Sequence, residues 1–208
     1  FPHFISPPKD KYILLIDQTY GDLSIFYGGA NNNSFNSMFD FACNNWPDHK
    51  IVLKTHPDVI NSRKKGYFDE ISCKRKNVII ISEKGQINRL IKESSAVCVV
   101  TSQVGFEALI YGKEVHVFGI PFYSGMGLTI DHNISNDLKT NIDVSVEQLV
   151  FALLTKYQIY LDPRTKKHCE VEKIMQFIYQ NRKISQFFKN KSIGLNLTPW
   201  KARQISRF

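Results

Sequence analysis

The sequence predicts an α/β fold with a doubly wound parallel sheet, and three observations carry that prediction. Short β-branched runs alternate with amphipathic segments of helical period. The runs are apolar throughout, as strands covered on both faces must be. Polar, glycine-containing clusters follow the strands, at residues 17–22, 55–58, 101–105 and 119–127. In folds of this class ligands collect beyond the carboxyl ends of the strands. The pattern is that of a Rossmann-like domain.

Each element has a local cause. Residues 12–16, Tyr-Ile-Leu-Leu-Ile, make a first strand that ends in the polar loop 17–22. Ser34 is placed to cap a helix that runs to about residue 46, with Phe35, Met38, Phe39 and Ala42 on one face. Pro47-Asp48 stops it. Residues 51–54 form a second strand, closed by Thr55-His56-Pro57-Asp58. Residues 78–82 form a third, with a helix near 86–93 behind it. Residues 96–100 are a fourth strand, and Ser102 is a good cap for a helix that starts at once and reaches about residue 111. Gly105 falls in its first turn and Gly112 closes it as a C′ glycine. Residues 114–118 are a fifth strand, ending at Gly119-Ile120-Pro121-Phe122-Tyr123. Helices near 146–157 and 166–181 complete a domain expected over residues 1–183, with a basic tail or linker over 184–208.

Composition narrows the class. The chain has 208 residues, 43% of them hydrophobic, enough to bury a real core in one large or two small domains. No apolar run reaches the roughly 18 residues that span a bilayer. The first ten residues lack the basic and apolar regions of a secretory signal. The formal net charge is +8, with Lys and Arg concentrated in residues 50–76 and 164–207. That balance suits an acidic substrate or an anionic membrane surface, and equally a solvated lysine-rich face. Aromatic residues are not interleaved with the basic ones as in a base-stacking platform, so no nucleic-acid partner is expected. Cys43, Cys73, Cys98 and Cys169 form no CxxC pair or Cys/His ligand spacing, and Cys98 lies in an apolar strand. Reduced thiols and a cytoplasmic location are the expectation.

The strand-end clusters hold the chemistry. In residues 96–109 a buried strand ends in Thr101 and Ser102 and a helix begins, so free N–H groups and the positive end of the helix dipole face the crevice. Such a turn holds a phosphate, or is an ordinary strand-to-helix turn. Gly105 has no Cβ to obstruct a ligand. Asp22, close to Gln18 and next to Gly21, is a candidate nucleophile, base or metal ligand, or a plain turn aspartate. His56 is placed to donate to an oxyanion or act as an acid, or to make a local loop hydrogen bond. It has no second His or acidic partner at ligand spacing, so no metal is expected.

Taken together, these segments resemble the bacterial capsule-polysaccharide β-Kdo transferase family. Asp17-Gln18-Thr19-Tyr20-Gly21-Asp22-Leu23-Ser24-Ile25 looks like the family's Gln-x-x-x-Asp motif. Lys54-Thr55-His56-Pro57-Asp58-Val59 looks like its His-Pro motif. Residues 101–109 and 117–129 follow in the family's order, with a weaker echo at Tyr160-Leu161-Asp162-Pro163-Arg164.

The resemblance implies a retaining glycosyltransferase that uses CMP-Kdo, without a cofactor or metal, to extend a lipid-linked acceptor glycan. Members have a GT-B-like fold, two Rossmann-like domains around a cleft, which needs roughly 300 residues. This chain matches the nucleotide-binding half, and the acceptor-side half is expected upstream of residue 1. By motif, Asp22 becomes the candidate nucleophile, Gln18 orients it or the sugar, and His56 contacts the CMP phosphate or the Kdo carboxylate. Thr101, Ser102 and Gly105 would bind the phosphate and Glu107 a ribose hydroxyl, while Pro121, Phe122 and Tyr123 would wall the cytosine. Arg63, Lys64 and Lys65 would face the anionic acceptor. The expected setting is the cytoplasmic side of the inner membrane, at its anionic surface, among other capsule assembly proteins. Two readings stand beside this one: a catalytically silent nucleotide-sugar-binding or assembly module, and a transferase for another nucleotide sugar.

Overall fold

The computed structural model describes residues 5–60, 64–68, 77–83, 85–140 and 144–190, with residues 57, 60 and 182–190 described by backbone alone. The chain divides into two compact units, residues 1–149 and 150–208.

The first unit is built on a six-stranded sheet. Its strands are β1 (Tyr12–Ile16), β2 (Lys50–Lys54), β3 (Val78–Ile81), β4 (Ala96–Val99), β5 (Glu114–Val117) and β6 (Ile130–Asp131). The order is β3-β2-β1-β4-β5-β6, and every pairing is parallel. This is the doubly wound order with its reversal between β1 and β4, so the ligand crevice belongs above those two strands. The five longer strands lie where the apolar runs place them, within a residue at each end. The short β6 carries no apolar run, and only its parallel pairing to β5 reveals it.

The apolar runs are explained by burial on both faces. On one face Ile13, Leu15, Ile51, Leu53, Ala96 and Cys98 pack under Phe35, Met38, Phe39 and Ala42 of α2 (Asn32–Asn45). On the other, Leu14, Val52 and Val97 are fully buried, as are Leu90 and Ile91 of α4 (Asn88–Glu93). There the Tyr12 hydroxyl donates to the Leu90 carbonyl at 2.7 Å. The helix α2 begins earlier than its sequence signal suggests. Asn31 is the cap and Ser34 sits at N3, reciprocating in a capping box, so the serine serves the cap without being it.

Two short helices sit at the strand ends. They are α1 (Leu23–Tyr27) after β1 and α3 (Pro57–Ile60) after β2. Neither is long enough to show a 3.6-residue pattern in sequence. The helix after β4, α5 (Val104–Ile110), ends at Gly112 with φ +66°, the expected C′ glycine.

In the first unit α6 (Val146–Phe151) begins, and a π-helical stretch follows it over Ala152–Tyr157. The second unit then folds a loop on Asp162 before α7 (Val171–Asn190). The Arg164 backbone N–H and the Lys173 ammonium, 2.9 Å away, hold the Asp162 carboxyl at about 2. That turn, with Lys166 at φ +59°, delays α7 by five residues from its expected start.

Candidate functional site

The switch point is closed by a knot of polar side chains. Gln18, just after β1, and Thr101, just after β4, lie 83 residues apart in sequence and clasp each other. Gln18 Oε1 accepts the Thr101 N–H at 3.0 Å, and Gln18 Nε2 donates to the Thr101 hydroxyl at 3.0 Å. The Ser24 hydroxyl joins at 3.2 Å from Thr101 Oγ1. The Thr101 methyl fills the space a side chain would need at Gly28 or Gly119. The Ile120 N–H donates to the Gly28 carbonyl at 2.8 Å and ties the loop after β5 to the same knot. Thr101 is therefore a brace, with its hydroxyl already engaged, rather than a free donor-binding group. Gln18 Nε2 also reaches the Ser24 hydroxyl at 3.4 Å, two residues beyond Asp22.

Asp22 is the half-buried N-cap of α1. Its Oδ1 accepts the Ser24 N–H at 2.9 Å, which fixes the carboxylate and leaves a second oxygen for a ligand. Around it Tyr20, Leu23, Phe26 and Tyr27 are exposed, Phe26 by 76% and Tyr27 by 80%.

His56 follows β2. Its Nδ1 accepts the Asp58 N–H at 3.1 Å, so the neutral ring carries its proton on Nε2, as a donor. Lys54, two residues earlier at the end of β2, is buried. Its ammonium donates to the Thr55 carbonyl at 2.7 Å, and burial pulls its pKa below the usual lysine range.

The entry to α5 differs from expectation. Gln103, not Ser102, is the residue before the helix, and it makes no side-chain cap. The half-buried Ser102 hydroxyl accepts the Val104 N–H at 3.3 Å and keeps its own proton for donation. Gly105 is needed for a reason other than ligand access. A Cβ there would collide with the Tyr123 hydroxyl, which donates to the Ser102 carbonyl. Tyr123 is fully buried and Pro121 is buried too, so neither walls a base. Of that trio Phe122 alone is exposed. Glu107 is half-buried one turn into α5, and desolvation raises its pKa.

Lys64 and Lys65 are exposed on a segment that crosses the end of β1, where the Tyr20 N–H donates to the Lys65 carbonyl at 2.7 Å. Arg63 lies outside the described residues. Among the described residues no group of three or more His, Cys, Asp or Glu is placed to hold a metal. No described helix is long and apolar enough to cross a membrane. The sequence assigns no site role to Lys54 or Tyr67, and places Asp17 only as a carboxylate held in the turn after the first strand. A charged residue directly at the end of a β-branched run was the available signal for Asp17 and Lys54. Tyr67 had none.

The match to known proteins runs through this edge. A family described as "Capsule polysaccharide biosynthesis protein" matches residues 3–162. Capsule polysaccharide modification protein LipA of Neisseria meningitidis is 32% identical over 200 residues, which is 94% of this chain and 28% of LipA. Lipopolysaccharide-processing protein LpsZ of Rhizobium meliloti is 35% identical over 127 residues, 60% of this chain and 28% of LpsZ. Among solved structures, the KpsC beta Kdo 2,4 transferase of Thermosulfurimonas dismutans superposes with a TM-score of 0.74 at 34% identity, covering 85% of this chain and 54% of that one. The KpsC beta Kdo 2,7 transferase gives 0.64 at 30% identity, covering 81% and 53%. The chain thus spans under a third of LipA and LpsZ and about half of each KpsC chain.

Proposed function

The chain belongs to the capsule polysaccharide biosynthesis protein family, and from that premise we propose that it is the donor-binding half of a retaining glycosyltransferase. It moves β-Kdo from CMP-Kdo to a lipid-linked capsule-linker acceptor. The observation that carries this reading is Asp22. It is a carboxylate presented at the switch-point edge by a capped turn, and that turn is braced from beneath by Gln18, Ser24 and Thr101. The similarity to Kdo transferases at 34% identity supports the sugar.

In this mechanism an Asp22 oxygen attacks the anomeric carbon of Kdo as its bond to the CMP phosphate breaks. A glycosyl-enzyme forms. The acceptor hydroxyl then attacks the anomeric carbon, the bond to Asp22 breaks and restores its carboxylate, the hydroxyl proton passes to the released CMP phosphate, and two inversions give retention. His56, with its proton on Nε2, donates to the departing phosphate or to the Kdo carboxylate. Ser102 and the N–H groups at the start of α5 receive the phosphate, and Glu107 takes a ribose hydroxyl. Phe122 is the aromatic left to meet the cytosine. Lys64 and Lys65 suit an anionic acceptor or the anionic inner-membrane surface. The acceptor-side domain is supplied by chain outside these residues, in keeping with the partial span of the relatives.

Intact-mass analysis with CMP-Kdo tests the reading. The wild type should gain a Kdo-sized adduct that maps to Asp22 and is missing from Asp22→Ala. CMP binding without any adduct or turnover would point instead to a silent nucleotide-sugar-binding module.

A further inference from the structure

We propose that Asp17 is a positioning residue that pins residues 64–68 across the end of β1, so that Tyr67 braces the turn carrying Asp22. Asp17 is 2% exposed. Its Oδ1 accepts the Gln18 N–H at 2.9 Å and the Tyr67 N–H at 3.0 Å, and the Phe68 N–H also points to the carboxylate. A Cβ on Gly66 would collide with Asp17 Oδ2, so the crossing segment comes as close as a glycine permits. An antiparallel bridge joins Thr19 to Gly66. The Tyr67 ring stacks on Phe35 at 3.9 Å between centroids and meets Tyr20 at 5.5 Å. Its hydroxyl faces the Gly21 backbone N–H, at the turn that leads into Asp22. The chain of contact runs from Asp17 to Tyr67 to Gly21, whose next residue is Asp22.

A carboxylate suits this role better than an amide. It offers only acceptors, and the groups it meets are backbone N–H donors. An asparagine would leave an NH₂ facing them. Burial of the charge is costly, and burial raises the Asp17 pKa to about 6 despite those donors. Nothing in the sheet itself requires a charge at this position.

The catalytic consequence rests on Asp22 being the nucleophile. The test uses Asp17→Ala, Asp17→Asn and Tyr67→Phe in the full chain. It reads single-turnover adduct formation from CMP-Kdo, CMP affinity by calorimetry, and amide exchange at Tyr67 and Tyr20. Asp17→Ala should slow adduct formation about 10- to 100-fold, as a small misplacement of a reacting group does. CMP affinity should stay within about twofold, because the nucleotide is held elsewhere. Asp17→Asn, which keeps one acceptor, should fall between Asp17→Ala and wild type. Tyr67→Phe should slow adduct formation without changing exchange. If Asp17→Ala does not fold, Tyr67→Phe decides, since it removes a single oxygen. Wild-type adduct rates in Tyr67→Phe, or in a folded Asp17→Ala, would overturn the proposal. If the wild type forms no adduct on Asp22, the parent reading fails separately. Amide exchange in Asp17→Asn then judges the pin, and unchanged protection at Tyr67 and Tyr20 would overturn it.

Discussion

Two parts of the same sheet edge use similar residues in opposite ways. At the junction of β1 and β4, Gln18 is 5% exposed and Thr101 9%, and their polar atoms are spent on each other and on Ser24. A few residues along the same loop, Asp22 has an oxygen to spare and the aromatics beside it face outward. Beyond β2, His56 resembles Asp22. One ring nitrogen is tied to its own loop and the other is left to donate. The buried junction is a brace, and the half-exposed loops are the surface to which the proposed chemistry is assigned. A polar residue at a strand end is thus no evidence of ligand contact until its hydrogen bonds have been counted.

The largest effect that would sharpen this contrast is at Asp22. Asp22→Ala should lower transfer at least 10³-fold, about 4 kcal/mol of barrier, with CMP affinity unchanged by calorimetry. Substantial turnover would move the proposed chemistry elsewhere.

Next is the pH response of Asp17. Its pKa rises from 3.8 to about 6 in the folded protein, chiefly by desolvation. The folded state therefore holds the proton more tightly. The resulting stability is full below about pH 4 and is lost as pH rises through 6. The shift corresponds to about 3 kcal/mol. Urea denaturation of wild type and Asp17→Asn should show their stability difference changing by about that amount between pH 4 and 7, against the wild type at the higher pH. A flat difference would mean that the carboxylate is not desolvated as drawn.

Gln18→Ala comes third. It leaves the buried Thr101 N–H without its partner and the Thr101 hydroxyl with Ser24 alone, at a cost of about 2 kcal/mol in stability. An unfolding midpoint equal to wild type would show that the junction is not a brace. The smallest effect is at His56. Loss of its Nε2 donor in His56→Ala should weaken CMP-Kdo binding about tenfold, or 1.4 kcal/mol, with stability little changed. A large drop in stability with affinity kept would place His56 with the brace.

Much of the fold can be read directly from residue patterns. Tyr12–Ile16 and Ala96–Val99 are apolar at every position because both faces are covered, and a run of that kind has few alternatives. Cys98 is core, and Gly112 ends its helix, for reasons contained within a few residues. The site was legible in part. Asp22 and His56 stand in strand-end loops, as their sequence positions predict, each held by one local hydrogen bond. At Gly105 the structure adds a packing reason that the sequence does not show, the Tyr123 hydroxyl that a Cβ would strike. Ser34 and Ser102 each read as a cap in sequence, whereas in the structure both support a cap or turn next to them.

Local residue patterns carry the alternation of strands and helices, the parallel sheet that follows from it, and the motifs that tie the chain to its family. These are short-range properties, set by side-chain period, β-branching and the needs of chain termini within a turn or two. Only the tertiary structure decided which polar groups were already engaged. Gln18 meets Thr101 across 83 residues, and Asp17 meets Tyr67 across 50, because the strand order brings β4 beside β1 and lays residues 64–68 over its end. No local pattern encodes such a pairing. It arises when burial forces each polar group to find whatever partner the packed chain has brought near.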